Sequence, residues 1–311
     1  MDVRRLRYFV AVAEEQHFSR AAERLGIQQP PLSAQIRQLE KEVGAPLFNR
    51  GARSVTLTEA GKLLLKEARG ILERVDEAQT MVQRYIRGET GTMVVGFSGA
   101  TYLAALVPGI IRAYLARFPD VTVRPKQSST AELTTELYEG RVDAAFLRPP
   151  LVNQRAFRLQ AIVDEEMFVA LPHGHRLESA EAIDLSSLSE ETLTLPPRWV
   201  NPGFYDPIIT AFHEAGLSPR IGHEAAPTIA ALPSMVAAGF GVSIVPRSVS
   251  QIQVEHVAYR PIVGGSLHAP IALVCRRANC PATAQQLIAV ARECVRSNQP
   301  PIDAPGEPLA P

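Results

Sequence analysis

The period of the hydrophobic pattern changes along this chain, and each change predicts a different element. Leu32, Ile36 and Leu39 recur at spacings of four and three, and Ala21, Ala22 and Leu25 line a shorter stretch just before them. Such spacing puts each set on one helical face, so two short helices packed on each other are expected. Gly26 lies between them, where a tight helix-to-helix turn is made most easily by glycine, and Ser19 reads as the N-cap of the first helix, Arg20–Leu25. Pro30 and Pro31 suit the first turn of the second helix, where backbone N–H groups lack intrahelical partners in any case. The stretch "FNRGARSVTLT" turns at Gly51 between two extended runs and predicts a hairpin. Beyond it, Leu64, Ala68, Ile71, Val75, Ala78, Val82 and Tyr85 alternate spacings of four and three, a heptad seam in one long helix over 59–88. A seam so narrow, with charged flanks, fits a partner helix better than a broad core, and a homodimer through this helix is expected.

From Gly91 the pattern shifts to short β-branched runs. "TMVVGF", "VTVRP" and "VDAAFL" read as strands separated by helices at Tyr102–Phe118 and Ala131–Glu139. The order recurs in "IVDEEMFVALP", the helix Phe204–Ala215, "RIGHEA", the helix Thr228–Ala238 and "GVSIVP", and the strand "PIALVC" and helix Ala282–Arg296 complete the set. This βαβ alternation predicts a mostly parallel sheet with right-handed crossovers. Two similar halves in succession predict a bilobed body over 91–297, with lobe I at about 91–162 and 266–297 and lobe II at about 163–265. The tail 298–311 is proline-rich and reads as disordered.

Composition narrows the function. The 311 residues carry no formal net charge, which excludes a uniformly basic nucleic-acid-binding body. Residues 1–58, however, hold nine Arg and Lys against six Asp and Glu, or +3, which leaves −3 for the remainder. A modest basic head suits phosphate contact at one end. The apolar run Tyr8–Ala13 is too short for a signal peptide, and no stretch approaches the roughly 18 apolar residues of a membrane span, so a cytoplasmic protein without membrane contact is expected. No Walker loop, GxSxG elbow or strand-linked GxGxxG turn is present, so neither an enzyme nor a cofactor is expected. His173 and His175 form an HxH pair without a carboxylate or cysteine cluster, which argues for a solvated loop and no metal. Cys275 and Cys280 straddle the basic "RRAN" loop, and nothing else in the sequence marks either thiol as activated.

The first two helices have the geometry of a helix-turn-helix, whose second helix lies in the major groove with its N-terminal residues at base edges. Its outer face presents Pro30, Ser33, Ala34, Arg37 and Lys41, and the basic hairpin beside it, with Arg50 and Arg53, reads as a wing on phosphates or the minor groove. "LRYFVAVAEEQHFSRAAERLGIQQPPLSAQIRQLEKEVGAPLFNR" with "VTLTEAG" closely resembles the LysR-type transcriptional regulators. The resemblance continues through "LPHGHRL", "EAGLSPRIGHEA" and "MVAAGFGVSIVP". It implies an α+β multi-domain chain. A winged helix-turn-helix would span 1–58, a linker helix 59–88 and a periplasmic-binding-protein-like effector domain 91–297. It further implies a homotetramer on an interrupted palindrome in double-stranded operator DNA, with RNA polymerase as a further partner. The base-facing positions it implies are Gln29, Pro30, Ser33 and Ala34. Many relatives carry arginine at the last of these, and alanine offers a thymine methyl only an apolar contact.

For the effector, the ends of the strands are informative. Ser98, Gly99 and Thr101 follow the first strand, Ser129 and Thr130 follow the second, and Arg148 follows the third. Helix N-termini with hydroxyls and a guanidinium suit a carboxylate. Pro202, Phe204 and Thr228 are expected on the opposite wall. "QQPPLS", "FLRPP" and "NPGFYD" are most similar to the branch that regulates benzoate, catechol and chlorocatechol degradation. That resemblance implies a muconate-type dicarboxylate or an aromatic acid contacted at Ser98, Ser129 or Thr130, Arg148, Pro202 and Phe204.

Overall fold

The computed structural model describes residues 1–50, 55–222, 228–265 and 267–298. Arg53 and the rest of the hairpin tip, the second half of "RIGHEA" and the tail from residue 299 lie outside the described residues. The chain divides into two units, Met1–Arg84 and Tyr85–Pro311.

In the first unit, α1 (Val3–Glu15), α2 (Phe18–Arg24) and α3 (Gln29–Val43) are followed by β1 (Phe48–Arg50), β2 (Val55–Leu57) and α4 (Glu59–Ile86). Leu6, Phe9, Val12, Ala21, Leu32, Ile36 and Leu39 share one buried core, and the two small alanines of α2 let α3 approach closely. Gly26 takes φ +68° in the turn between α2 and α3. The first cap differs from expectation. His17, not Ser19, caps α2, its Nδ1 accepting from Ser19 N at 3.2 Å, and the helix begins at Phe18 because that ring packs against Phe48. Glu40 anchors the start of the hairpin by accepting from Leu47 N at 2.9 Å and Phe48 N at 3.3 Å. The seam of α4 divides in two. Leu64 and Ala68 pack into the unit's own core, whereas Val82 and Tyr85 are exposed.

In the second unit, β3 (Gly91–Ser98), α5 (Leu106–Arg117), β4 (Val121–Ser128), α6 (Thr130–Glu139) and β5 (Ala144–Leu147) open lobe I. The expected helix from Tyr102 is a 3-10 turn, Thr101–Leu103, followed by α5. β6 (Phe157–Pro172) leads into β7 (Thr192–Leu193), α7 (Pro202–Glu214) and β8 (Arg220–Ile221). Then come α8 (Leu232–Ala237), β9 (Ser243–Pro246), α9 (Arg247–Ser250), β10 (Val257–Pro261), β11 (His268–Arg276) and α10 (Ala282–Asn298).

The mostly parallel sheet is corrected. β3 pairs parallel with β4 and β5, but β11 runs antiparallel to β5 and β6, and β9 and β10 run antiparallel to β6. The cause is the double crossing between lobes. β6 carries Ile162 in the lobe I core and Met167 and Val169 in the lobe II core, while β11 returns with Ala269 in the second and Leu273 in the first. A chain that leaves on one strand and returns on its neighbour must reverse direction.

Candidate functional site

Two regions hold the residues singled out above. In the first unit, Gln29, Pro30, Ala34 and Arg37 are exposed along one side of α3, and Ser33 is half-buried among them. The Ser19 hydroxyl donates to Gln29 Oε1 at 3.1 Å, so α2 positions the first residue of α3. Arg5 Nε donates to Gln35 Oε1 at 3.0 Å and fixes that amide toward α1. Two other cations of this unit are paired: Arg24 and Arg69 both reach Glu14 at 2.9 Å. Their hydrogen bonds, Arg69 first, hold the Glu14 carboxyl below its ordinary value. Arg37 has no ion-pair partner among the described residues and remains available to an anion. β1 and β2 pair antiparallel from Phe48↔Leu57 to Arg50↔Val55, which gives the backbone of a wing.

In the second unit, the strand ends do gather, but with different partners from those expected. Ser98, the last residue of β3, is fully buried, and among the described residues its Oγ has no hydrogen-bond partner. Thr130 Oγ1 is likewise buried and unpartnered, while its backbone N–H donates to Val200 O at 3.1 Å. Gly99 takes φ +54°, and a Cβ there would lie 3.1 Å from Asn201 Nδ2 and 2.9 Å from Ile229 Cδ1. These contacts lay the segment 200–201 of lobe II across the ends of β3 and β4.

Four expectations change. Thr101 donates its hydroxyl to Phe146 O at 3.2 Å and so braces β5 instead of facing a ligand. Ser129 closes a capping box with Glu132, whose carboxylate also accepts from Ser128. Those hydrogen bonds, Ser128 first, hold the Glu132 carboxyl below its ordinary value, and the N-terminus of α6 is thereby served by the chain's own anion. Phe204 packs in the lobe II core because α7 turns that face inward. Thr228 precedes the 3-10 turn Ile229–Ala231, which in turn leads into α8, and its side chain makes no capping hydrogen bond.

The largest change concerns Arg148. It is fully buried, donates to Ala269 O, and pairs through Nη2 with Glu165 at 2.6 Å. Burial pushes its pKa down and Glu165 pushes it back up. Glu165 also accepts from Ser248 N at 3.2 Å, so the pair joins the end of β5 to β6 and α9. The guanidinium already has its anion. Its Nε is buried and has no hydrogen-bond partner among the described residues.

Family models match both parts of the chain: the helix-turn-helix of the bacterial regulatory lysR family over residues 3–62, and the LysR substrate binding domain over 87–296. The chain belongs to the LysR family. Among its relatives, the transcriptional regulator BudR of Raoultella terrigena is 37% identical over 277 residues, 89% of this chain and 95% of that one. BenM of Acinetobacter baylyi is 36% identical over 278 residues, 89% and 90% of the two chains. Among solved structures, full-length CbnR in complex with its target DNA is 29% identical with a TM-score of 0.70, covering 95% of this chain and 100% of that one. As a LysR-family member, the protein is a DNA-binding transcriptional regulator with an effector-binding domain, and the family is not enzymatic.

Sequence reading passed over one buried polar residue at this junction of strand ends. Asn201 is fully buried, and neither its Nδ2 nor its Oδ1 has a partner among the described residues. An asparagine before Pro-Gly reads as an N-cap, and Asn201 holds that position in α7 without making the capping bond. Pro202 is half-buried beside it. With Thr130, Thr134, Pro150 and Phe157 it lines a cavity of about 320 Å³.

Proposed function

We propose that this LysR-family regulator is switched by a small acid bound where Ser98, Thr130 and Asn201 converge between the lobes. The observation that carries the reading is the set of three buried polar side chains without partners among the described residues. Burying a polar group without a hydrogen bond costs about 1–3 kcal/mol, and a ligand that supplies the missing bonds recovers that cost. Two hydroxyls and one amide offer donors to a carboxylate, and the amide oxygen offers an acceptor to a hydroxyl or a protonated acid. With Arg148 committed to Glu165 and Glu132 on the N-terminus of α6, neither of these groups among the described residues offers a free cation to a second charge. That favours a monocarboxylate of the aromatic-acid type over a muconate-like dicarboxylate. The subgroup resemblance of "FLRPP" and "NPGFYD" supports an aromatic-catabolism operon as the target, and the slightly higher identity to BudR, 37% against 36% for BenM, keeps other small acids in the test.

On the DNA side, Gln29, Pro30, Ser33 and Ala34 are proposed at base edges and Arg37, Arg50 and Arg53 on phosphates, with the operator an interrupted palindrome. The exposed distal seam of α4 joins two copies in a homodimer, two dimers form a homotetramer, and RNA polymerase is a further partner in the cytoplasm. No helix among the described residues is long and apolar enough to cross a membrane.

The test is a footprint on DNA flanking the regulator's own gene, with benzoate, chlorinated benzoates, muconate and short aliphatic acids added in turn. A protected interrupted palindrome whose extent changes with a monocarboxylate supports the reading. Protection that responds to none of these acids rejects it.

A further inference from the structure

The cysteines of lobe I form an arrangement that the regulator's DNA and effector sites do not use. Cys275 lies near the end of β11 and Cys280 just before α10, and their sulfurs are 3.0 Å apart. Both are free thiols. A disulfide bond needs about 2.05 Å, so a further approach of about 1 Å joins them. The two differ in access. Cys275 is fully buried in the core with Leu273 and Ala284. Cys280 is half-buried and lines a cavity of about 170 Å³ together with Arg158, Gln160, Gln285 and Arg292.

Their electrostatics differ in the same sense. Its contact with the Cys275 sulfur holds the Cys280 thiol below its ordinary value, against the effect of burial. The charges of Arg158 and Arg276 add to the lowering and Asp143 opposes it. The same pairing, together with burial, pushes the Cys275 thiol up. Arg276 is fixed in place, because its Nη1 donates to Leu137 O at 2.8 Å and Val142 O at 3.2 Å. Arg292 Nε donates to Gln160 Oε1 at 2.7 Å across the cavity wall. One thiol is thus accessible and activated, and a second, protonated thiol stands directly behind it.

We propose that Cys280 is a hydroperoxide-reactive thiol and that Cys275 resolves it as an intramolecular disulfide. The cavity admits a molecule of a few heavy atoms, such as hydrogen peroxide, rather than a peptide disulfide. The Cys280 thiolate attacks one peroxide oxygen, an S–O bond forms, the O–O bond breaks, and the departing hydroxide takes up a proton as water. Cys275 then attacks the sulfur of the Cys280 sulfenic acid. The S–S bond forms as the S–O bond breaks, and the hydroxide leaves as water with the Cys275 proton. Two thiols lose two electrons to one peroxide, which yields one disulfide and two waters. The bridge closes over the Arg276–Asn279 loop, next to Ala282, whose backbone packs on Gly88. This proposal does not depend on the effector reading.

The test uses the purified full-length protein with one equivalent of hydrogen peroxide, read by intact mass and peptide mapping. The expected result is the loss of two hydrogens and a Cys275–Cys280 cross-link. Cys275→Ser gives a dimedone-trapped sulfenic acid at Cys280, and Cys294→Ser behaves as the parent. Oxidation first at Cys294, or Cys280 oxidised without a cross-link, overturns the proposal. A second measurement needs no cysteine variant. In the parent protein at neutral pH, iodoacetamide alkylates Cys280 several-fold faster than Cys294, and Arg158→Ala slows the Cys280 reaction. Equal rates at the two thiols, or no effect of Arg158→Ala, reject the activation.

Discussion

Arg148 and Glu165 form an ion pair withdrawn from solvent at the junction of the lobes, with Nη2 2.6 Å from a carboxylate oxygen. Removing one member of such a pair leaves a buried charge without compensation, at a cost of about 3–5 kcal/mol, whereas replacing both by apolar groups is often nearly neutral. Arg148→Ala and Glu165→Gln are each expected to lower stability in urea by amounts of that order. The double variant Arg148→Met/Glu165→Leu should lose much less than their sum. Additive losses would show that the two side chains act independently. A carboxylate effector should also raise the melting temperature of Glu165→Gln more than that of the parent, because it can serve the released guanidinium.

Asn201 separates a structural from a functional role. Its amide is buried without partners among the described residues, so Asn201→Ala breaks no hydrogen bond seen among them. The variant should melt no lower than the parent, retain operator affinity, and bind the effector at least tenfold more weakly by calorimetry. A large loss of stability with unchanged effector affinity would reverse that assignment.

On DNA, Gln29 and Arg37 should behave differently. Gln29→Ala should lose affinity for the operator while binding to random DNA is unchanged. Arg37→Ala should weaken both and reduce the salt slope by about one. Fluorescence anisotropy over a salt series distinguishes the two. A sequence-selective effect of Arg37→Ala would move it from phosphate to base.

Glu14 gives the first unit an acid-sensitive tie. Arg69 and Arg24 hold its carboxyl below 4.5. The carboxyl is depressed in the folded state, so its contribution is present above the unfolded value and lost as pH falls through the folded one. Glu14→Gln should therefore flatten the pH dependence of unfolding below about 4.5, and the effect should be small because the groups are partly exposed. An unchanged acid limb would remove Glu14 from the explanation.

The distal seam of α4 is expected to hold two copies together. Val82→Glu places a charge among Met81, Tyr85 and Ile86, all of which are exposed in the single chain. Light scattering should report a smaller assembly with the unfolding transition of the effector domain unchanged. An intact dimer would assign dimerisation to another surface.

Much of this was legible in the sequence. The helix pair, the long helix and the alternation of strands and helices follow from apolar spacing, which depends on near neighbours in the chain. Long-range partners did not. Arg148 at a strand end suggested a ligand contact, because nothing local reveals that Glu165 sits opposite after the chain crosses to β6. Asn201 was passed over, since an asparagine before Pro-Gly fits an ordinary cap and its failure to make the capping bond is visible only in three dimensions. Ser129 and Thr130 suggested an anion site, and Glu132, three residues after Ser129, carries the capping-box signal that points the other way. The split role of the α4 seam, with Leu64 and Ala68 turned inward, escaped for a related reason: a heptad does not record which partner each turn meets.

The position of β11 has a consequence for synthesis. It fills the gap between β5 and β6, yet more than a hundred residues separate it from β5 along the chain. Until it emerges from the ribosome, both of those strands present bare edges, and lobe II has been made before lobe I can close. Nascent chains are therefore exposed to edge-to-edge association for the whole of that interval, and a stop codon ahead of residue 276 leaves a chain that cannot complete its first lobe.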